Sequence, residues 1–514
     1  MPLTRVFSIC GLCLAIAAII TASTLNAREK IDAADPNADV LLITPDDLAE
    51  AWEPFADWKT RLGKRTKILT IAQIEEEYQG DDIQQKIRNC CLEHIDYHGT
   101  KWIILGGDSR PDERGGVPDR DTKHANNFVR HEDIPTDVYY VSEQDWDADS
   151  DGVYGEWEDD ADAIAYTNAQ ATIGRIPVRT AEDVAAYTAK IIGYESRYPT
   201  DDFAQIFVYT CPESGAYRKL TTSRNLLTAA WQQGSLVDFF AHRTPWDIDS
   251  PGDFALSPDN WIEMINGRTA GKMHMHGHGF LPLWALEPPQ GAVTATHVEK
   301  LSNEDAYLAM TTVSCFTGQF DGEQDPSITE SMLRHPLGGA VLIIAPAREG
   351  VPAFHDPARD FPLMMSEGKM DGTTETMTRF WGFALTQNMT AGEAFRAAKI
   401  ELTDDAEKTA IYHFVQCELN LLGDPTLDLR AKNPATPLLE IPESIETGAQ
   451  TLTINTGQSG ATVCLWKGDE VYTVSKTDEQ GIAVVEIEPL TEGVILATVS
   501  GPSLNAVTGE ILVQ

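Results

Sequence analysis

Positive charge is what this chain lacks most. Its 514 residues carry 39 Lys and Arg against 79 Asp and Glu, a formal net charge of −40. That balance argues against nucleic acid and anionic membrane surfaces as partners. It also leaves carboxylates available for calcium. Long apolar runs are missing beyond residue 27, so no membrane span is expected in the mature chain. Cysteine is sparse. Of eight, Cys10 and Cys13 belong to the N-terminal apolar segment. The other six are Cys90, Cys91, Cys211, Cys315, Cys417 and Cys464. They contain no Cys-x-x-Cys pair, against a zinc ribbon or thioredoxin-like site, and are too scattered for a disulfide scaffold. The adjacent Cys90 and Cys91 fit buried helix packing or one ordinary disulfide. There is no long-range repeat and no low-complexity tract.

Residues 1–27 read as a secretory signal. Arg5 supplies the positive start, "FSICGLCLAIAAIIT" the apolar stretch and "STLNA" the small residues for cleavage after Ala27. Export to the periplasm, cell surface or medium follows, as a soluble protein expected to be monomeric.

What the chain has in quantity is alternation of strand and helix patterns. "DVLLITPDD", "KRTKILTIAQ" and "KWIILGGD" read as buried strands; "LAEAWEPFADWKTRLG" and "DIQQKIRNCCLEHIDYHG" read as helices, the second running from Asp82 to Gly99. After an Asp-rich insertion the pattern resumes through "AEDVAAYTAKIIGYESR", "QIFVYTCPE", "KMHMHGHG", "AYLAMTTVSC" and "GGAVLIIAPA". The expected class is α/β, a three-layer α/β/α sandwich around a parallel sheet. Residues 28–200 form its first subdomain, with the acidic insertion, and 201–432 its second. Short alternating runs from 436 to 514 read as a small Ig-like β-sandwich.

Three strand candidates end in reactive residues: Glu213, the pair His278–Gly279, and Cys315. Functional groups gather at the carboxyl ends of parallel strands. A cysteine nucleophile needs a histidine nearby to hold it as thiolate. The N–H groups of Cys315 and Gly279 could receive an oxyanion, and Glu213 could orient the imidazole. His274, His276 and His278 alternate along one strand and share a face, which also admits a metal-dependent hydrolase. A non-enzymatic surface-binding protein is the bland reading of the same residues.

"DADSDGVYGEWE", Asp147–Glu158, matches the twelve-residue calcium-loop pattern. Asp147, Asp149, Asp151 and Glu158 are the candidate ligands, and Gly152 permits the turn. The flanking "TDVYYVSEQ" reads as extended, so this is not an EF-hand. A structural Ca2+ is expected here and no organic cofactor; a solvated acidic tip is the alternative.

"HGHGFLPLW", "TTVSCFTGQFD" and "SITESMLRHPLGGAVLIIAPA", with "ATIGRIPVRTAEDV" and "NLLGDPTLDL", resemble the gingipain family of cysteine peptidases, in the caspase-like fold group. The likeness spans nearly the whole mature chain, the Ig-like module included. It implies a secreted cysteine endopeptidase acting on proteins or peptides, with His278 and Cys315 as catalytic pair, Gly279 as oxyanion donor and Glu213 beside the histidine. Calcium binding in this part of the fold is also implied. Gingipains place an Asp after that glutamate to hold a basic side chain. Here "YRKL" stands instead, and no acidic residue lies between Glu213 and Asp238. Arg218 and Lys219 are candidate contacts for an acidic or polar substrate residue, and Trp284 is a further candidate substrate contact. Some relatives act as sortases, so a transpeptidase on secreted proteins is the nearest alternative.

Overall fold

The computed structural model describes residues 37–110, 116–125, 130–157, 160, 171–210, 239–243, 254–269, 271–286, 291–322, 326–351, 354–356, 361–363 and 372–514. The signal-like segment 1–27 lies outside them.

In chain order the strands begin with β1 (Val40–Thr44), β2 (Thr66–Thr70), β3 (Trp102–Leu105), β4 (Arg120–Ala125), β5 (Arg130–Thr136) and β6 (Thr172–Arg175). Next come β7 (Phe207–Thr210), β8 (Phe239–Arg243), β9 (Phe254–Ala255), β10 (Lys272–Met275), β11 (Gly279–Phe280), β12 (Leu283–Ala285), β13 (Ala292–Thr294), β14 (Leu308–Thr312) and β15 (Ala340–Pro346). β16 (Phe354–Asp356), β17 (Phe361–Leu363) and β18 (Leu419–Gly423) complete this part. One eleven-stranded sheet runs β2-β1-β3-β6-β18-β15-β14-β10-β7-β8-β9. β1, β2, β3 and β6 are mutually parallel, as are β15, β14, β10, β7, β8 and β9. β18 lies between the two sets, antiparallel to β15. β1, β3, β14 and β15 are buried at every residue. Helices must therefore cover both faces, as the unbroken apolar runs require.

The helices start and stop where side chains satisfy their end groups. Asp82 caps Ile83–His98 by accepting from the Gln85 N–H, and Gly99 closes it at φ 71°. Capping boxes start Ala181–Ser196 at Thr180 and Ile328–Arg334 at Ser327. Cys90 and Cys91 are buried free thiols on the first of these helices, which selects the packing reading. One local reading differs. The stretch expected to be extended before the acidic loop is a 3-10 turn, Asp137–Val141, because Tyr139 and Tyr140 both turn into the core.

Two buried cations join the layers. Lys59 Nζ meets Asp424 at 2.5 Å and Glu195 at 2.7 Å. Desolvation alone would depress this ammonium; Asp424 and Glu195 outweigh it and raise its pKa. The "GDP" turn is thereby tied to helices Ala49–Arg61 and Ala181–Ser196. Arg175, at the end of β6, donates to both Asp137 oxygens at 2.8 and 2.6 Å and to the carbonyls of Gly107 at 2.9 Å and Val117 at 2.6 Å. Its guanidinium also lies 4.6 Å from the Phe320 ring centroid.

β19 (Ser444–Ile445), β20 (Gln450–Asn455), β21 (Thr462–Lys467), β22 (Val471–Lys476), β23 (Ile482–Ile487), β24 (Gly493–Ser500) and β25 (Val507–Val513) build the C-terminal module. Its sheets, β19-β25-β24-β21-β22 and β20-β23, share a core of their own that includes Ile454, Val463, Val485, Ile495 and Ile511. The alternating burial along β23 is that of strands with one wet face. The module rests on the larger domain through bonds from Cys464 Sγ to Thr60 O, Ser500 Oγ to Leu62 O and the Ala506 N–H to Glu195 O. Among the described residues no helix is long and apolar enough to cross a membrane.

Replacing Arg175 by Met should strand the Asp137 carboxylate and the carbonyls of Gly107 and Val117 without this partner. Chemical denaturation is expected to show a loss of about 3–5 kcal/mol. A loss below about 1 kcal/mol would contradict the role assigned to this cation.

Candidate active site

β10 and β14 are neighbours, parallel, with Met275 opposite Thr312. His278 and Cys315 each follow three residues after that pair, so register alone puts the two tips at one level. The ladder extends past the strands: the Val313 N–H donates to Met275 O at 3.2 Å and the His276 N–H to Thr210 O at 2.8 Å. Gly279 then locks the tips together. A Cβ there would lie 2.6 Å from Thr317 Cγ2 and 2.7 Å from both Cys315 O and Ser314 Cβ. Only a residue without a side chain allows that approach. His278 is exposed and Cys315 half-buried.

The turn carrying Cys315 is strained and tightly held. Phe316 has φ 60°, a left-handed conformation costing an aromatic residue about 1–2 kcal/mol. Its N–H donates to Arg348 O at 2.7 Å. Thr317 Oγ1 donates to Ser314 O at 2.7 Å. The Cys315 thiol points to Gly350 O, with Sγ 3.9 Å away. Burial, reinforced by the Glu418 and Glu349 carboxyl groups, pushes this thiol up to about 11. Thiolate at neutral pH therefore needs a cation close by.

The other two histidines are core groups. His274 Nδ1 lies 2.8 Å from Thr311 Oγ1, which also accepts from Trp381 Nε1 at 2.8 Å. His276 sits beside His274 with ring centroids 6.1 Å apart. Burial drives His274 well below the usual imidazole range and His276 to about 3, so both are neutral. Among the described residues the only grouping with metal-ligand spacing is Asp147, Asp149 and Asp151. The histidine strand is not part of it.

In that acidic loop one carboxylate oxygen from each aspartate lies within 4.8 Å of the others. Ser150 at φ 63° and Gly152 at φ 84° make the turn. Asp147, Asp149 and Asp151 accept from the N–H groups of Gly152, Asp151 and Val153. At its base the buried Asp160 accepts from the Ala148 N–H at 3.0 Å and the Gly155 N–H at 3.1 Å. Asp160 escaped the sequence reading because it lies outside the twelve-residue pattern. Glu158, the fourth expected ligand, lies outside the described residues, as do Glu213, Arg218 and Lys219.

Trp284, the further candidate substrate contact, is not exposed in this structure. It pairs with Gly279 across β11 and β12, and its ring is wholly buried, 6.0 Å from that of Trp261. The neighbours of Cys315 that sequence reasoning missed are Glu349 and Gly350, which follow β15, and His131 on β5, whose Nε2 lies 2.5 Å from Glu349 Oε2. The only sequence signal for Glu349 and Gly350 was their place just after an apolar strand, and His131 had none.

A family model described as Peptidase family C25 matches residues 33–430. The chain belongs to that family. Gingipain R2 from one strain of Porphyromonas gingivalis is 22% identical over 488 residues, covering 93% of this chain and 58% of that protein. Gingipain R2 from a second strain is 22% identical over 470 residues, 90% of this chain and 55% of that protein. The C25 chain thus spans little more than half the length of these relatives. The crystal structure of the Arg specific cysteine proteinase gingipain R (RGPB) superposes with a TM-score of 0.68 at 18% identity, over 94% of this chain and 99% of that one. The complex of Porphyromonas gingivalis RgpB pro- and mature domains gives 0.65 at 19% identity, over 93% and 100%. These likenesses establish the caspase-like α/β fold.

Gly279→Ala should overpack the junction of the two tips. A stability loss of about 1–3 kcal/mol is expected in denaturation, with slower alkylation of Cys315 in the folded protein. Unchanged stability and thiol reactivity would show that the tips are not held by this contact.

Proposed function

We propose that this chain is a secreted cysteine endopeptidase in which Cys315 is the nucleophile and His278 the proton carrier. The observation that supports it most is the register of β10 and β14, which brings the two residues to adjacent tips, with Gly279 packed against the backbone of Cys315. Membership of a peptidase family agrees. Export rests on the signal-like residues 1–27.

The thiol is too weakly acidic by itself, so the reactive state is the thiolate paired with a His278 imidazolium. The thiolate attacks the peptide carbonyl carbon. The carbonyl oxygen becomes an oxyanion, received by the N–H groups of Gly279 and Cys315, a contribution of about 3 kcal/mol. As the C–N bond breaks, the imidazolium gives its proton to the departing amine. A thioester is left on Cys315. Neutral His278 then takes a proton from water, the resulting hydroxide attacks the thioester carbon, and the C–S bond breaks to release the acid and restore the ion pair. Glu213 follows Thr210 by three residues in the chain, and Thr210 is paired with Met275. It is the residue we assign to orient His278.

The acidic loop suits a hard cation: three carboxylates converge on a turn whose backbone N–H groups already brace them. We assign Asp147, Asp149, Asp151 and Glu158 as ligands of a structural Ca2+. Melting with added calcium and with chelator tests this assignment. A lower melting temperature with chelator is expected, and coincident curves would count against it.

Cys315→Ala should abolish both peptide cleavage and labelling by thiol-directed peptidyl inhibitors. His278→Gln should leave the thiol alone in its buried setting. Its alkylation rate should then be negligible near neutral pH and climb as pH rises towards about 11, because burial favours the protonated thiol. A wild-type alkylation profile in that variant would sink the dyad. Cleavage of a peptide library by the wild type would also reveal preference; strong cleavage after Arg would refute a pocket built from Arg218 and Lys219.

A further inference from the structure

A second histidine faces the nucleophile loop from the other half of the fold. β4 and β5 form a hairpin with His124 opposite His131. From its second strand, His131 Nε2 reaches Glu349 Oε2 at 2.5 Å. The same strand brings Asp133 to 3.6 Å from Arg348. Arg348 in turn grips Asp321, in the loop that begins at Cys315, at 2.6 Å. Glu349 stands between two backbone contacts to the nucleophile: Arg348 O accepts from the Phe316 N–H, and Gly350 O accepts from the Cys315 thiol. The His131 ring is edge-on to Phe316 at 6.2 Å and stacked on Phe414 at 6.5 Å. The imidazole is thus braced on two sides.

We propose that His131 and Glu349 form a positioning pair, built across the two halves of the fold, that sets the charge beside the Cys315 thiol. The proposal rests on Cys315 being the reactive thiol. Two titratable groups act on that thiol, Glu349 and the buried Glu418; His278 stands on the neighbouring strand tip. Glu418 accepts from Thr373 Oγ1, and burial raises it well above the carboxylate range. Glu349 is different. Burial alone would raise its pKa, but the bond and charge of His131 hold it below the ordinary value. Its negative charge therefore remains beside the thiol and opposes thiolate formation. The groups facing Glu349 are His131, Arg348 and Glu418. Those facing His131 are Glu349, Asp133 at 3.8 Å and, across the hairpin, His124. The bond and charge of His131 offset the Glu349 carboxylate, whereas an uncharged side chain at 131 leaves Arg348 alone to oppose it.

The test is the rate of Cys315 alkylation by iodoacetamide in the full chain, followed by mass spectrometry from about pH 5 to about pH 10. Glu349→Gln keeps the shape and removes the charge. Its profile should move towards acid, with alkylation near neutral pH about threefold faster or more. His131→Gln should do the opposite, by about the same factor. The double variant should follow Glu349→Gln, since the histidine acts only through the carboxylate. A Glu349→Gln profile that coincides with the wild type overturns the proposal. So does a His131→Gln effect that persists undiminished in the double variant. If His131→Gln fails to fold, the Glu349→Gln comparison still decides. Peptide hydrolysis read in the same samples separates this from the endopeptidase assignment. Shifted alkylation without hydrolysis supports the pair and overturns the peptidase; hydrolysis with unshifted alkylation does the reverse.

Discussion

The buried guanidinium of Arg175 is the contact on which the arrangement of loops depends. It ends β6, where the backbone of a parallel strand would otherwise leave its neighbours' loops unsupported. Its planar fork matches the Asp137 carboxylate with two short bonds, and its remaining donors take the carbonyls of the loop after β3. Its flat face receives Phe320, from the loop that begins at Cys315. One side chain thus ties the loop after β3 and the 3-10 turn to the loop that begins at Cys315. Lysine cannot substitute for this geometry, because an ammonium offers a point charge rather than a fork.

The site itself is made from strand ends, and its precision comes from the sheet. Parallel neighbours with fixed register deliver His278 and Cys315 to the same level without any contact between the residues being required. The fold then spends stability at this point. Phe316 is left-handed, Gly279 is buried for lack of room, and the thiol is driven away from its reactive form. Such local conflicts with good folding practice mark functional positions. His274 and His276 show the opposite economy. They lie on the same strand, but burial keeps them neutral, so they add no positive charge beneath His278.

The hairpin β4–β5 connects two regions that are remote in the chain. On one side it packs against the acidic loop itself, where the Lys123 N–H donates to Tyr154 O and Arg120 covers the Tyr154 ring at 3.8 Å. On the other it carries His131 and Asp133 to the loop after β15. The C-terminal module has no comparable reach into the site. Its own core is separate, and its bonds run to helix Ala49–Arg61 and to residues around Glu195.

By itself the sequence determined the elements and the order of the reactive tips. Unbroken β-branched runs can only be strands buried on both faces, Asp82 and Gly99 mark their helix because they satisfy its end groups, and His278–Gly279 and Cys315 declare themselves by ending such strands. The spacing of Asp147, Asp149 and Asp151 was legible for the same reason: a short turn brings near neighbours together. Other features depended on contacts between distant segments. The reversal of β18 against β15, the burial of Trp284 opposite Gly279, and the pairing of His131 with Glu349 leave no local pattern. Each is settled by which surfaces pack once the strands have found their order. Side-chain period reports burial, but neither strand direction nor the identity of a partner two hundred residues away is written in it.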